Sequence, residues 1–242
     1  IIVALQNGEK IIADFEGKLG KREIAQGVLG SNSLIITLDD LKKIVIDIKI
    51  PENYDQTVAV IAVNGHDCFY HWLCDVLPRL EILKKSKVPY DKIYVGKITR
   101  PFQKETLKHF GITSDQIIEA SRNTHIKAKN VLFPSQAKKS SVQFQKWMID
   151  FLREEFLNNN ESTKRSKRIY ISRSKASRRA ILNEEEFLPL LEEHGFESVI
   201  LEDLAFKEQA ALFNSCEAVI GYHGSGFSNL IFCKPNTKVL EL

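Results

Sequence analysis

The sequence predicts an α/β protein whose second half is a parallel sheet with helices on both faces. Three observations lead there. Short apolar runs of strand length (Val58–Val63, Arg168–Ser172, Ala218–Ile220) recur along the chain. Stretches with apolar residues at helical spacing separate them, and that alternation is the pattern of strand–helix–strand units. The last of these runs leads into a loop with three glycines, Gly221, Gly224 and Gly226, at the place where open α/β sheets bind ligands. With 242 residues and 43% hydrophobic content, the chain can bury a sizeable core.

The first 63 residues read as β-rich, with short strands at Ile1–Leu5, Lys10–Ala13, Ser33–Leu38 and Lys43–Ile50, then Val58–Val63. From Cys68 to Lys85 the positions Phe69, Trp72, Leu73, Val76, Leu77, Leu80 and Leu83 repeat at helical spacing, and Pro78 predicts a kink or a break there. Lys92–Val95 reads as a strand, Pro101–Phe110 as a helix closed by Gly111, Asn130–Phe133 as a strand and Ser141–Leu157 as a long amphipathic helix. Residues 158–167, polar and basic, read as a linker. After Arg168–Ser172, Asn183 is placed to cap a helix running to about His194. Glu186 stands at the capping-box position and Gly195 at the stop. Ser198–Leu201, Phe206–Ser215, Ala218–Ile220 and Val239–Leu242 follow as strand, helix, strand and strand, with a short helix near Phe227. This divides the chain into an N-terminal α/β domain (1–157), a linker (158–167) and a C-terminal α/β domain (168–242).

A net charge of +3 does not point to general nucleic-acid binding. No run has the length of a membrane helix and no signal peptide is visible. Cys68, Cys74, Cys216 and Cys233 lack metal-ligand spacing and read as buried free thiols. The chain starts at Ile1 and stops on an apolar run, so both ends look trimmed.

Three constellations could carry chemistry. The loop Gly221–Asn229 lets a ligand approach the backbone, and the helix after it would aim its N–H groups at a phosphate or diphosphate, with His223 as a further donor. The bland alternative is a tight turn. A Walker loop is excluded because no Gly-Lys-Ser/Thr follows, a dinucleotide fingerprint because Asn229 replaces the third glycine, and a nucleophile elbow because His223 and Phe227 flank Ser225. In the second, Asn64–Arg79, His71 and Asp75 are four apart on one helix face; either could deprotonate a hydroxyl, or both could merely edge the helix. No metal-ligand spacing occurs among His66, Asp67, His71 and Asp75. In the third, Tyr170–Asn183, the cations Arg173, Lys175, Arg178 and Arg179 follow a strand and could grip a diphosphate, or could form a solvated loop. No Asp-x-Asp triplet is present to hold a divalent cation, so leaving-group charge would fall to arginines and backbone amides.

In order along the chain, these segments resemble glycosyltransferase family 61, which includes bacterial capsular-polysaccharide proteins. The resemblance spans roughly residues 60–242: the His71-x-x-x-Asp75 motif with Leu77-Pro78, then Tyr-Ile-Ser-Arg with Arg179, Ile181, Asn183 and Glu184, then the HGSGFSNLIF run and the strand ending in Glu241. It implies two Rossmann-like halves facing a cleft (GT-B type) and an inverting, metal-independent transfer from a nucleotide-sugar donor, expected to be a uridine diphosphate sugar, to a glycan hydroxyl. Asp75 or His71 would be the base, with Asp75 preferred. Arg173, Arg179, Asn183, His223, Gly224, Ser225, Gly226, Asn229 and Glu241 would hold the donor. The expected setting is surface or capsular polysaccharide synthesis in the cytoplasm, with room for peripheral association at the inner face of the membrane. No cofactor, metal or nucleic acid is expected. Family members continue past Leu242, so the chain reads as truncated, and a non-catalytic nucleotide- or sugar-binding module is the alternative.

Overall fold

The computed structural model describes residues 2–4, 11–13, 34–36, 50–121, 124–138, 143–157, 166–176 and 181–242. The expected strand Lys43–Ile50 (all but Ile50), the linker (all but Ser166 and Lys167), Arg178 and Arg179 lie outside the described residues. Contacts divide the chain into two compact units, residues 1–53 with 122–127, and residues 54–121 with 128–242.

The first unit contains three short strands, β1 (Ile2–Ala4), β2 (Ile11–Ala13) and β3 (Leu34–Ile36), within three of the apolar runs expected to be extended. They form an antiparallel sheet in the order β1-β2-β3, with Val3 opposite Ile12 and Ile12 opposite Ile35.

The second unit holds two parallel sheets. One has the order β6-β5-β4-β7, from β4 (Glu52–Val60), β5 (Lys92–Val95), β6 (Ile117–Glu119) and β7 (Ile126–Leu132), the first two residues of β4 and of β7 being counted with the first unit. β7 runs in the direction of β4: Glu52 N–H donates to His125 O, and further along both strands Asn130 Nδ2 donates to Thr57 Oγ1. The other sheet has the order β11-β10-β8-β9, from β8 (Lys167–Ile171), β9 (Glu197–Val199), β10 (Cys216–Gly221) and β11 (Lys238–Glu241), every pair parallel. In each sheet the chain winds outward on one side, then returns to the other. The reversals fall between β4 and β7 and between β8 and β10, which makes the carboxyl ends of these strands the expected ligand crevices.

Helical elements follow β4 and β10 directly. After β4 comes α1 (Phe69–His71), a π-helical turn (Trp72–Val76) and α2 (Leu77–Ser86). The expected kink or break at Pro78 is instead this π turn, in which Leu77 N–H reaches back to Trp72 O. Pro78 has no N–H to give and its ring would crowd the carbonyl of Cys74, so widening the turn just before it relieves both problems without ending the helix. After β10 comes a 3-10 helix, Ser225–Phe232, starting at Ser225 rather than near Phe227. It packs directly on α1.

The remaining helices are α3 (Pro101–His109), α4 (Lys146–Phe156), α5 (Glu184–Glu193) and α6 (Phe206–Ser215). Several expected bounds shift. Helix α4 starts at Lys146 rather than Ser141, β7 begins at Ile126 rather than Asn130, β4 ends at Val60 rather than Val63, and β9 ends at Val199 rather than Leu201, which opens a 3-10 turn. The Asn183 capping box does not form: Asn183 Nδ2 bonds the Glu186 carboxylate at 3.2 Å, and no side-chain cap reaches the helix backbone. Helix α5 also runs through Pro189. Among the described residues, no helix is long and apolar enough to cross a membrane.

One core joins both sheets of this unit. Phe206 packs on Phe156 at 4.5 Å between ring centroids, on Phe69 at 5.7 Å and on Phe232 at 6.1 Å. It therefore links α6, α4, α1 and the 3-10 helix. Phe206 is 2% exposed. Phe206→Ala is expected to lower stability by about 3–5 kcal/mol, measured by urea denaturation followed by circular dichroism; a loss under about 1 kcal/mol would show that the cluster does not tie these elements together.

Candidate functional site

The first cluster grows from the carboxyl ends of β4 and β7. β4 runs out into the turn Asn64–Gly65–His66, where Gly65 takes φ 73°. A Cβ on Gly65 would lie 2.8 Å from His71 Cδ2, so the histidine ring rests on bare backbone. Gly96, just past β5, is used in the same way: a Cβ there would fall 2.1 Å from the His66 ring. His66 Nδ1 sits 3.3 Å from Val63 O.

His71 Nδ1–H donates to Asp75 Oδ2 at 2.8 Å, the contact that the i, i+4 spacing anticipates. Lys138, from the loop after β7, approaches the same carboxylate at 2.9 Å to Oδ1 and 3.1 Å to Oδ2. Its ammonium also donates to Tyr70 Oη at 3.1 Å and sits 4.5 Å from the centre of that ring. The His71 side chain is 41% exposed, Asp75 16% and Lys138 12%. Burial pulls the Lys138 pKa down, but the hydrogen bonds and charges of Asp75 and Tyr70 outweigh it and leave the ammonium above the ordinary lysine range.

Asp75 is thus engaged on both oxygens and largely covered, while the His71 side chain is 41% exposed and its Nε2 takes no part in the bond to Asp75. An imidazole whose Nδ1–H is held by a carboxylate carries its free lone pair on Nε2. That is the arrangement of a base and its orienting group. Both candidates for the base, Asp75 and His71, are thus joined in one hydrogen-bonded pair. Beneath it, burial and the neighbouring Asp75 charge push the Cys74 thiol up to about 12, which leaves no thiolate for nucleophilic work. All four cysteines are free.

The second cluster sits at the carboxyl ends of β8 and β10. Arg173 follows β8, and its guanidinium covers Gly224: a Cβ on that glycine would lie 2.2 Å from Arg173 Nη1. Gly226 is likewise closed over by Leu201, whose Cδ1 would be 2.9 Å from an added Cβ. The 3-10 helix begins here, and its first backbone bond is Phe227 N–H to Gly224 O. The amides of Ser225 and Gly226 come before that bond, at the end of the helix where N–H groups lack helical partners. His223 Nδ1–H donates to Glu241 Oε1 at 2.5 Å, and both side chains are exposed. The two residues expected to hold a donor are therefore partners of each other, and His223 presents Nε2.

Glu184, at the first position of α5, anchors this cluster. Its carboxylate accepts from Tyr170 Oη at 2.6 Å, Ser172 Oγ at 3.1 Å and Arg173 N–H at 3.3 Å. Burial, then the bond to Glu184, raises the Tyr170 phenol well above its usual range and keeps it a donor. Asn229 is completely buried, its amide donating to Gln209 Oε1 at 3.0 Å and Gly226 O at 3.2 Å. Through the bond to Gly226 O it braces the glycine loop from inside. Asn183 is exposed and bonded to Glu186. Lys175 pairs with Asp203 at 2.5 Å. Among the described residues, no three His, Cys, Asp or Glu side chains converge as metal ligands would.

The structure therefore gathers His71 with Asp75, and Arg173 with Gly224, Ser225, Gly226 and the His223–Glu241 pair. Lys138 and Glu184 are further members of these two clusters that the sequence reading gave no role. Glu184 lies in the motif and could have been found from its position at a helix start. Lys138 gives no local signal.

Comparison with known proteins bears on the same segments. A family model described as Glycosyltransferase 61 matches residues 69–240. A beta-1,2-xylosyltransferase of Oryza sativa subsp. japonica is 31% identical over 101 residues, covering 41% of this chain and 22% of that protein. The match thus spans less than a quarter of that relative's length.

Gly65 and Gly111 share φ 73°, but an added Cβ at Gly111 meets nothing within 4 Å. Gly111→Ala is expected to cost about 1–2 kcal/mol from backbone strain alone. Gly65→Ala should cost about 1–3 kcal/mol beyond that, because it also collides with His71. Paired urea melts measure the difference, and equal losses would mean that His71 is not seated on Gly65.

Proposed function

The chain belongs to glycosyltransferase family 61, and from that premise we propose that it transfers a sugar from a nucleoside diphosphate donor to a glycan hydroxyl, with inversion and without a metal ion. The observation that carries this reading is the packing of α1, which bears His71, on the 3-10 helix whose first residues lie beneath Arg173. A proton acceptor and an anion grip are thus mounted on two helices in direct contact.

In this reading the donor diphosphate lies at the carboxyl ends of β8 and β10. Arg173 grips it with charged hydrogen bonds and the Ser225 and Gly226 amides supply fixed dipoles. His223, with Nδ1–H given to Glu241, can donate from Nε2 only as imidazolium, which suits an anionic neighbour. The acceptor oxygen attacks the anomeric carbon as the bond from that carbon to the diphosphate oxygen breaks. The hydroxyl proton passes to His71 Nε2, and Asp75 stabilises the imidazolium that forms. The departing charge is met by Arg173 and the loop amides. Arg179 remains a proposed second cation.

The two parallel sheets are the proposed halves of a GT-B arrangement, with acceptor chemistry on the first and the donor on the second. A uridine diphosphate sugar is the proposed donor, and the rice xylosyltransferase makes uridine diphosphate xylose the first to test. Polysaccharide synthesis in the cytoplasm is the proposed setting; the plant relative lends no support to a capsular role in particular.

Uridine diphosphate is expected to bind in calorimetry with chelator present, and Arg173→Ala to weaken it about ten- to a hundredfold. Absence of any nucleoside diphosphate binding, or an absolute need for a divalent cation, would overturn the metal-free donor site. His71→Gln is expected to reduce kcat about a hundred- to ten-thousandfold while leaving uridine diphosphate affinity unchanged. Turnover within a few-fold of the parent protein would remove His71 from the role of base, and binding without turnover in the parent would identify a binding module instead.

A further inference from the structure

Lys138 is placed in a way that the proposed chemistry does not by itself require. It comes from the loop beyond β7, far from the His71–Asp75 helix in sequence, and buries its ammonium against that helix. Covering a lysine to this extent is unfavourable unless the charge is matched. Here it is matched by Asp75, whose two oxygens are 2.9 and 3.1 Å from Nζ, and supported by the Tyr70 hydroxyl and ring face.

We infer that Lys138 is a positioning residue for the base: its ammonium fixes the Asp75 carboxylate and offsets its charge, so that His71 rests neutral, with Nε2 able to accept a proton. Asp75 would otherwise have His71 as its principal charge partner, and a lone carboxylate beside an imidazole favours the imidazolium. An imidazolium at rest cannot take the acceptor proton. With Lys138 present, Asp75 still accepts Nδ1–H and still sets the tautomer, but the pair Asp75–Lys138 carries no net charge. Among the described residues, the titratable groups facing the Asp75–Lys138 pair are Tyr70 and His71 from α1 and the Cys74 thiol from the π turn, which stays protonated.

This inference rests on the reading of His71 as the base, yet it can be tested without turnover. The His71 imidazole is titrated by nitrogen-detected NMR in the parent protein, in Lys138→Met and in Lys138→Arg, with the resonance assigned by its loss in His71→Gln. The expected result is a midpoint about one pH unit higher in Lys138→Met and close to the parent in Lys138→Arg, with Nδ1 remaining the protonated nitrogen in the neutral form. A midpoint that stays put in Lys138→Met overturns the inference, as does one that rises equally in Lys138→Arg. If Lys138→Met does not fold, Lys138→Gln replaces it, with the same two outcomes. Failure of the transferase reading leaves this titration intact, so the two cannot be confused. Where turnover is measured, the acidic limb of the kcat/KM profile should move upward by the same amount in Lys138→Met, and a fall in amplitude at an unmoved limb would mark Lys138 as merely structural.

Discussion

Everything in the site depends on α1 and the 3-10 helix staying packed on each other. Each follows a strand of a different sheet, β4 in one case and β10 in the other. Neither is long enough to be stable alone: helical turns of this size fix several dihedrals for few hydrogen bonds and persist only through tertiary packing. Phe69, Phe206, Phe232 and Phe156 supply that packing through edge-on and tilted ring contacts, each worth about 0.5–1.5 kcal/mol beyond the area it buries. Arg153 adds a polar tie from α4, with Nη1 donating at 2.8 Å to both Ile231 O and Cys233 O at the far end of the 3-10 helix. The site is assembled by the core, and the loops only furnish its chemistry.

The two clusters use charge in different ways. Around Asp75 the groups are covered, and charges that leave water must be matched; the lysine, carboxylate, imidazole and phenol satisfy one another. Around Arg173 the groups are more open. The His223–Glu241 pair is exposed, and an exposed pair contributes little to stability. Its value lies in aiming Nε2 rather than in holding the fold. This difference suits the two tasks proposed for them: proton transfer needs a fixed tautomer, whereas an anion site has to admit and release a charged ligand.

Much of this was readable from the sequence where the signal was local. The His71–Asp75 contact followed from helical spacing, and the loop and short helix after β10 from three glycines after an apolar run. Helix α6 was read to the residue, and the sheet of the second half followed from strand–helix alternation. The failures have physical causes. Pro78 was read by its usual effect on an α-helix, and the π turn that accommodates it leaves no mark in the apolar pattern. Asn183 and Glu186 had the spacing of a capping box, but their side chains bonded each other instead of the backbone. The bond from the Asn229 amide to Gln209 likewise had no signature in the loop's sequence. Lys138 was invisible, because it and Asp75 are 63 residues apart and only the parallel run of β7 beside β4 brings them together.

That last pairing shows why the strand order matters to the chemistry. Because β7 returns to the opposite side of β4 from β5, the loop after β7 and the helix after β4 open from neighbouring carboxyl ends. A residue in the first can then reach a residue in the second. Had β7 added beyond β6, β5 and β6 would separate its end from β4, and Lys138 could not touch Asp75. The second sheet repeats the logic: β10 returns beside β8, away from β9, so the Arg173 loop and the glycine loop share one crevice. In both sheets the reversal in strand order leaves a gap between neighbouring carboxyl ends. The groups that can act on a ligand are those whose loops border that gap, so the winding of the chain, before any choice of side chain, decides which residues can cooperate.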